Sequence, residues 1–257
     1  MGCIVNSTFA TAFYDIGREK WSSYKRTVED YMNYFRVVSK LNSNMVIFCD
    51  ETHKELISKI RNEDTKTKIV VMPFENCEFY KKYHDKVKMV MSSDSYKNRI
   101  IHPNIPEMIF PEYNIINLNK ICFVQEAMKY FDTKNYGWID FGFGHGKVHI
   151  PTDISFLDNK TLGDKLYMGC LRLPIDEMLY HPWSYFSNEI FITGSAFVGT
   201  TKSINDFKTI ICDVLDKSLS LNMIDDDQTI YNMAYLSNKN LFNLHCGDWF
   251  NQFEDGV

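Results

Sequence analysis

The stretch "YGWIDFGFGHGK", Tyr136 to Lys147, runs an apolar segment into a single aspartate, Asp140, and then into glycines that carry His145 and Lys147. Three chemistries compete for it: a phosphate loop, a kinase-type Asp-Phe-Gly, and a carboxylate delivered at the end of a sheet strand. A Walker loop needs a Gly six residues before its Lys and a hydroxyl after it. Here Phe141 stands at the first position and Val148 at the last. The dinucleotide fingerprint finds no Gly-x-Gly-x-x-Gly register, and the kinase reading lacks its Gly-rich loop and catalytic-loop residues. His145 and His149 have the spacing of a helical zinc pair, yet Gly142, Gly144 and Gly146 oppose a helix there. What remains is a buried strand ending in one carboxylate, in the crevice where open α/β sheets bind ligands. An isolated Asp that caps a turn gives the same local pattern.

Working outward, strand and helix patterns alternate, the signature of an α/β domain. "STFATAFY" from Ser7 reads as a strand, residues 18–41 carry helical apolar spacing, and "NMVIFCD" ending at Asp50 is a second strand. A helix near Lys54 to Arg61 and a strand "KIVVMPF" follow, completing a nucleotide-binding half-sheet. "HPNIPEMIFPEYN" holds three prolines and is expected to be an irregular connection. "NKICFVQEAMKYF" reads as a helix leading into the Asp140 strand. Beyond it come strands at "KLYMGCL" and "EIFITGSAFVG", a helix from Ser203 to Leu219, a helix opening at "DDDQTIYNMAYL", and a closing "LFNLHCGDWF".

With 257 residues and 45% apolar composition the chain can bury one substantial core, so one domain over 1–257 is expected. A net charge of −5 with dispersed Lys and Arg carries no nucleic-acid footprint, which points to a small molecule or glycan. Seven cysteines without a Cys-x-x-Cys pair argue against a disulfide framework or structural zinc and fit a reducing compartment. No run approaches the ~18 apolar residues of a membrane helix, and no signal peptide precedes the first strand, so a cytoplasmic protein is expected. "MGCIVN" offers Gly2 and Cys3 for acylation, but Asn6 stands where Ser or Thr is required.

"TAFYDIGR" at Thr11 to Arg18, Lys120 before a helix, and "WIDFG" followed by His145 resemble the HtrL/YibB family of glycosyltransferases over most of the chain. The later motifs resemble, in order, those of glycogenin-like glycosyltransferases of the GT-A fold. The resemblance implies an α/β GT-A-type fold with a mixed central sheet flanked by helices. Residues about 1–142 would form the nucleotide-binding half and about 143–257 the sugar- and acceptor-binding half. It further implies a metal-assisted enzyme moving a sugar from a nucleotide sugar, a UDP-sugar, to a glycan, glycoprotein or lipid-linked acceptor.

Residue by residue, Asp140 matches the last acid of the family's metal motif, although Trp138 and Gly142 occupy the flanking acid positions. His245 in "HCGDW" matches a late metal ligand, with Gly247 beside the donor, so Asp140 and His245 would hold Mn²⁺ or Mg²⁺. Asp227, with Asp226 as substitute and Gln228 beside it, matches the catalytic Asp-Gln helix start; Gly194 and Ser195 match the sugar-facing strand. Thr11, Ala12, Phe13 and Tyr14 would meet the nucleoside, Tyr14 stacking on the base, and Arg18 and Lys120 would face phosphates.

The chemistry agrees with this set, because a departing nucleoside diphosphate develops negative charge that cations stabilise. Each residue also has a plainer role. Asp225, Asp226 and Asp227 would cap a helix, Lys120 would be a solvated charge, His245 a structural histidine, Tyr14 a core aromatic and Arg18 a partner for a helix acid. A non-catalytic nucleotide-sugar binder of the same fold is the alternative, and a sugar nucleotidyltransferase a more distant one.

Overall fold

The computed structural model describes residues 6–151, 154–179, 185–186 and 189–253. Gly2 and Cys3 lie outside them. Seven strands form one mixed sheet: β1 (Ser7–Phe13), β2 (Asn44–Cys49), β3 (Thr67–Val71), β4 (Asn135–Ile139), β5 (Leu166–Cys170), β6 (Ile192–Thr200) and β7 (Phe242–Cys246). Their order across the sheet is β3-β2-β1-β4-β6-β5-β7. β1 pairs in parallel with both β2 and β4, whereas β6 runs antiparallel to β4 and β5. The chain leaves β1 toward β2 and returns on its other side as β4, a switch point where the carboxyl ends of the two strands diverge into a crevice.

Alternation along the strands splits the core between two faces. Ala10, Ala12, Phe48, Trp138, Met168 and Phe197 pack on one, and Phe9, Phe13, Ile47, Ile139, Tyr167 and Val198 on the other. Gly137 is a close-approach position: a Cβ there would press on the Phe197 carbonyl, Val198 and the Phe9 ring. That is why the apolar run of β4 is interrupted by a glycine.

The helices follow their caps. α1 (Val28–Val38) starts ten residues later than the periodicity predicts, because Thr27 and Asp30 form a capping box that fixes its first turn. α2 (Glu51–Ser58) starts from the Asp50 cap, and α3 (Glu78–Ser92) fills a stretch for which the sequence reading named no element. α4 (Asp94–Lys97) is a single turn.

The proline-rich segment corrects an expectation. It forms α5 (Pro106–Ile109) and α6 (Pro111–Leu118), each with its proline in the first turn, where the missing N–H has no intrahelical partner to lose. α7 (Lys120–Ala127), α8 (Leu157–Lys160), α9 (Thr201–Ser220) and α10 (Asp227–Ser237) complete the set. No described helix is long and apolar enough to cross a membrane.

The cysteine reading is also corrected. Cys170 and Cys246, 76 residues apart in sequence, are register partners in β5 and β7 and form a disulfide. Closing a loop of that length removes chain entropy worth about 4 kcal/mol from the unfolded state. Disulfides persist in oxidising compartments, so cysteine usage no longer supports a reducing one. Spacing could not reveal the bond, because only sheet pairing brings β7 beside β5.

Candidate active site

The diverging ends of β1 and β4 open onto a cleft of about 390 Å³. Ala12, Phe13, Tyr14, Arg18, Lys120, Asp140, Gly194, Ser195, Asp227 and Gln228 all line it. The sequence reading thus named ten residues that tertiary folding gathers from five separate segments.

At the centre stands Lys120, the first residue of α7 and only 5% exposed. Its Nζ donates to Asp227 Oδ2 at 2.7 Å and to the Gly194 carbonyl at 2.9 Å, and pairs with Asp140 Oδ1 at 2.9 Å. Trp138 Nε1 donates to the same Asp140 oxygen at 2.7 Å. Burial alone would push the ammonium toward neutrality, but Asp140 and Asp227 outweigh it and hold the lysine above its ordinary range. The solvated-surface reading of Lys120 is therefore wrong, and the turn-capping role gives Asp140 too little to do.

Gly194 owes its identity to this arrangement, since a Cβ at that position would overlap the Asp227 carboxylate.

The acidic triplet divides its labour. Asp226 is the N-cap of α10 and accepts from Gln228 N at 3.0 Å. Asp227 turns the other way, to Lys120, and is 1% exposed. Asp225 accepts from Asp226 N and from Thr229 Oγ1. Capping thus describes Asp226, while Asp227 belongs to the cleft.

Burial raises the Asp225 carboxyl well above the carboxylate range, with the nearby Glu107 and Asp227 adding to it. A folded-state pKa above the unfolded value means that the native state holds the proton more tightly. The associated stability is complete below about pH 4 and declines as pH rises toward the folded-state value. Asp225→Asn keeps the shape without the titration. Its melting temperature should exceed wild type by a margin that widens from pH 5 to pH 8, by ~3 °C or more, since each pH unit carries up to about 1.4 kcal/mol. A margin constant with pH would show that Asp225 titrates alike in both states.

Opposite the acids, the cleft is basic. Arg18 donates to Tyr31 Oη at 2.6 Å and to the Tyr24 carbonyl at 3.0 Å, with its guanidinium 5.0 Å from the Trp21 ring centroid. Its expected pairing with a helix acid does not form. Arg26, which the sequence reading did not single out, donates to Tyr34 Oη at 3.3 Å and sits 3.4 Å from His145 Nε2. Burial, then Arg26, holds His145 below its usual range, so the neutral ring accepts from that guanidinium. Gly144 and Gly146, at φ of 67° and 74°, carry the loop through the left-handed backbone that places His145 there.

Four expected residues fall elsewhere or act differently. Thr11 is fully buried inside the sheet and does not line the cleft, being an interior position of a central strand. Tyr14 lines it, but its ring packs against Phe74 and Phe123 at 5.3 and 6.0 Å and is 5% exposed, the core role rather than an open stacking surface. His245 pairs in register with Gly169 of β5 and lies 6.1 Å from the Tyr167 ring, on the face that also carries Ile139. Asp140, two residues after Trp138, belongs to the opposite face. Gly247 donates its N–H to Cys170 O and also stays outside the cleft.

Asp140 and His245 therefore do not fit a common metal ion. β6 and β5 stand between their strands, and Asp140 Oδ1 is already engaged by Lys120 and Trp138. Among the described residues no group of three or more His, Cys, Asp and Glu is arranged to hold one. From the late segment it is Trp249 and Phe250 that reach the cleft. Gln252 anchors that turn by donating to Thr193 Oγ1 at 2.7 Å and to the Trp249 carbonyl at 2.9 Å. Of "HCGDW", Trp249 lines the cleft and His245 does not.

The family model described as "Bacterial protein of unknown function (HtrL_YibB)" matches residues 5–255. The chain belongs to that family. "Protein HtrL" of Escherichia coli (strain K12) is 28% identical to it, across 96% of this chain and 91% of that protein. Among solved structures, the mannosyltransferase Ktr4p of S. cerevisiae in complex with GDP superposes with a TM-score of 0.55 at 8% identity, covering 97% of this chain and 70% of that one. A second structure of Ktr4p gives 0.53 at 9%, over 94% and 68%. At such identity the likeness speaks to fold: the mixed sheet with its flanking helices is a GT-A-type glycosyltransferase fold.

Proposed function

We propose that this member of the family is a glycosyltransferase that moves a sugar from a nucleotide sugar, a UDP-sugar, to a hydroxyl of a glycan, glycoprotein or lipid-linked acceptor. The observation that carries the reading is the Lys120–Asp140–Asp227 cluster set against Gly194 at the switch-point cleft of a GT-A-type fold. Residues up to Gly142 supply most of the nucleotide wall, and Gly194, Ser195, Asp227 and Gln228 the sugar wall. In the transfer, the acceptor oxygen bonds to the anomeric carbon. The bond from that carbon to the diphosphate oxygen breaks with its electron pair, and the hydroxyl proton leaves with the departing diphosphate. Asp227, held immobile by Lys120, orients the sugar so that little ordering remains to be done at the transition state. Gly194, lacking a side chain, leaves the room that this carboxylate occupies.

The absence of acids at Trp138 and Gly142 favours one rival, a binder of nucleotide sugars without turnover. Incubation with UDP-, GDP- and CMP-sugars, followed by assay of released nucleoside diphosphate, separates the two. Release from UDP-sugars above the buffer rate is the expected result. Tight binding without release would leave only the binder, and no binding of any nucleotide sugar would end both readings.

A further inference from the structure

The site does not fit the metal that the GT-A fold leads one to expect, yet a nucleoside diphosphate needs its charge neutralised. Two guanidiniums stand ready at the cleft. Arg18 and Arg26 both line it, and among the described residues neither has a carboxylate within 4.0 Å. Unpaired cations of this kind are held here by neutral acceptors: Arg18 by Tyr31 Oη and the Tyr24 carbonyl, Arg26 by Tyr34 Oη and the neutral ring of His145. Such partners orient a guanidinium without cancelling its charge, which leaves its field for a ligand.

The pairing is also set by the fold. Tyr31 and Tyr34 lie three apart on α1 with ring centroids 6.2 Å apart, and each hydroxyl accepts from one arginine. Two forked donors brought to one wall of the cleft suit a ligand that carries two phosphates. The lining carboxylates, by contrast, are already engaged. Asp227 and Asp140 are bound to Lys120, and Asp15 accepts from Gly17 N at 2.8 Å.

We infer that Arg18 and Arg26, and not a divalent cation, bind and neutralise the donor's diphosphate, so that nucleotide binding by this protein is metal-independent. The inference rests on the proposed donor class but fails separately from it. Lys120 is not the phosphate ligand in this arrangement, because its donors are spent on Asp140, Asp227 and Gly194; its task is to hold the sugar-side acids.

Calorimetric titration of the full chain with UDP, once in EDTA and once in millimolar Mn²⁺ or Mg²⁺, is the test. Affinities within about threefold of each other are expected, because no ion bridges protein and phosphates. Arg18→Gln and Arg26→Gln should each weaken UDP binding tenfold or more in EDTA, with Arg26→Lys recovering part of the loss. Far-UV circular dichroism and the ligand-free melting temperature identify a variant that fails to fold, and Arg26→Lys then carries the comparison. UDP binding that vanishes in EDTA and returns with the metal would overturn the inference while leaving the nucleotide reading intact. Metal-independent binding that both glutamine variants retain at wild-type strength would overturn the roles of the two arginines. No binding of UDP under either condition would refute the donor assignment, and this inference with it.

Discussion

Replacing Lys120 with methionine should lower the free energy of unfolding by about 3–5 kcal/mol near pH 7 and abolish sugar transfer. The side chain fits the same buried space, so the loss is electrostatic. Asp140 and Asp227 then face each other without the ammonium that now lies 2.9 and 2.7 Å from them. Most of the cost falls on Asp227, whose side chain is 2% exposed, because Asp140 is 36% open to solvent and water screens it. Urea unfolding at pH 7 and pH 5 reads this directly. The deficit should shrink at pH 5, where protonation relieves the stranded acids, and the double variant Lys120→Met/Asp227→Asn should recover part of it. A single variant as stable as wild type at both values would mean that the cluster holds nothing together.

The second large effect lies in chemistry rather than in folding. Asp227→Asn should lower turnover of the nucleotide sugar by ~10² or more while UDP affinity stays within a few-fold, the mark of an interaction made chiefly in the transition state. Lys120 keeps its Asp140 and Gly194 partners, so the variant should fold. Asp226→Asn is the control, since Asn caps a helix about as well as Asp and the Asp226 carboxylate is spent on Gln228 N. Steady-state kinetics should show it nearly unchanged. Equal losses in the two variants would reduce Asp227 to a contributor to the general field.

Much of this site was named through a resemblance in motif order, because taken one at a time its residues fit ordinary patterns. A lone acid before glycine caps a turn, a lysine at a helix start is a surface charge, and an acidic first helical turn suits the helix dipole. Each proved to have a partner: Asp140, Lys120, Gly194 and Asp227 are one cluster. Arg26 was not reached in this way. A basic residue just before a capping threonine is ordinary, and nothing local says that His145 waits for it across 119 residues of chain. His245 erred in another way. A resemblance in motif order carries a residue to the right segment but not to the right face, and in a strand a change of one position reverses the face.

By itself the sequence determined most of the element types, though not α3 or the proline-capped α5 and α6, since periodicity, caps and glycines act over a few residues and are written in the chain. It also marked the carboxyl end of β4 as the place to look. Only the tertiary structure decided which charges meet. It put Lys120 between two acids, spread the three aspartates among a cap, a buried acid and a site residue, joined Cys170 to Cys246, and turned His245 away from Asp140. Those outcomes depend on strand order and on which face of the sheet each side chain occupies. Both are settled by how the whole core packs, and no window of the sequence contains that.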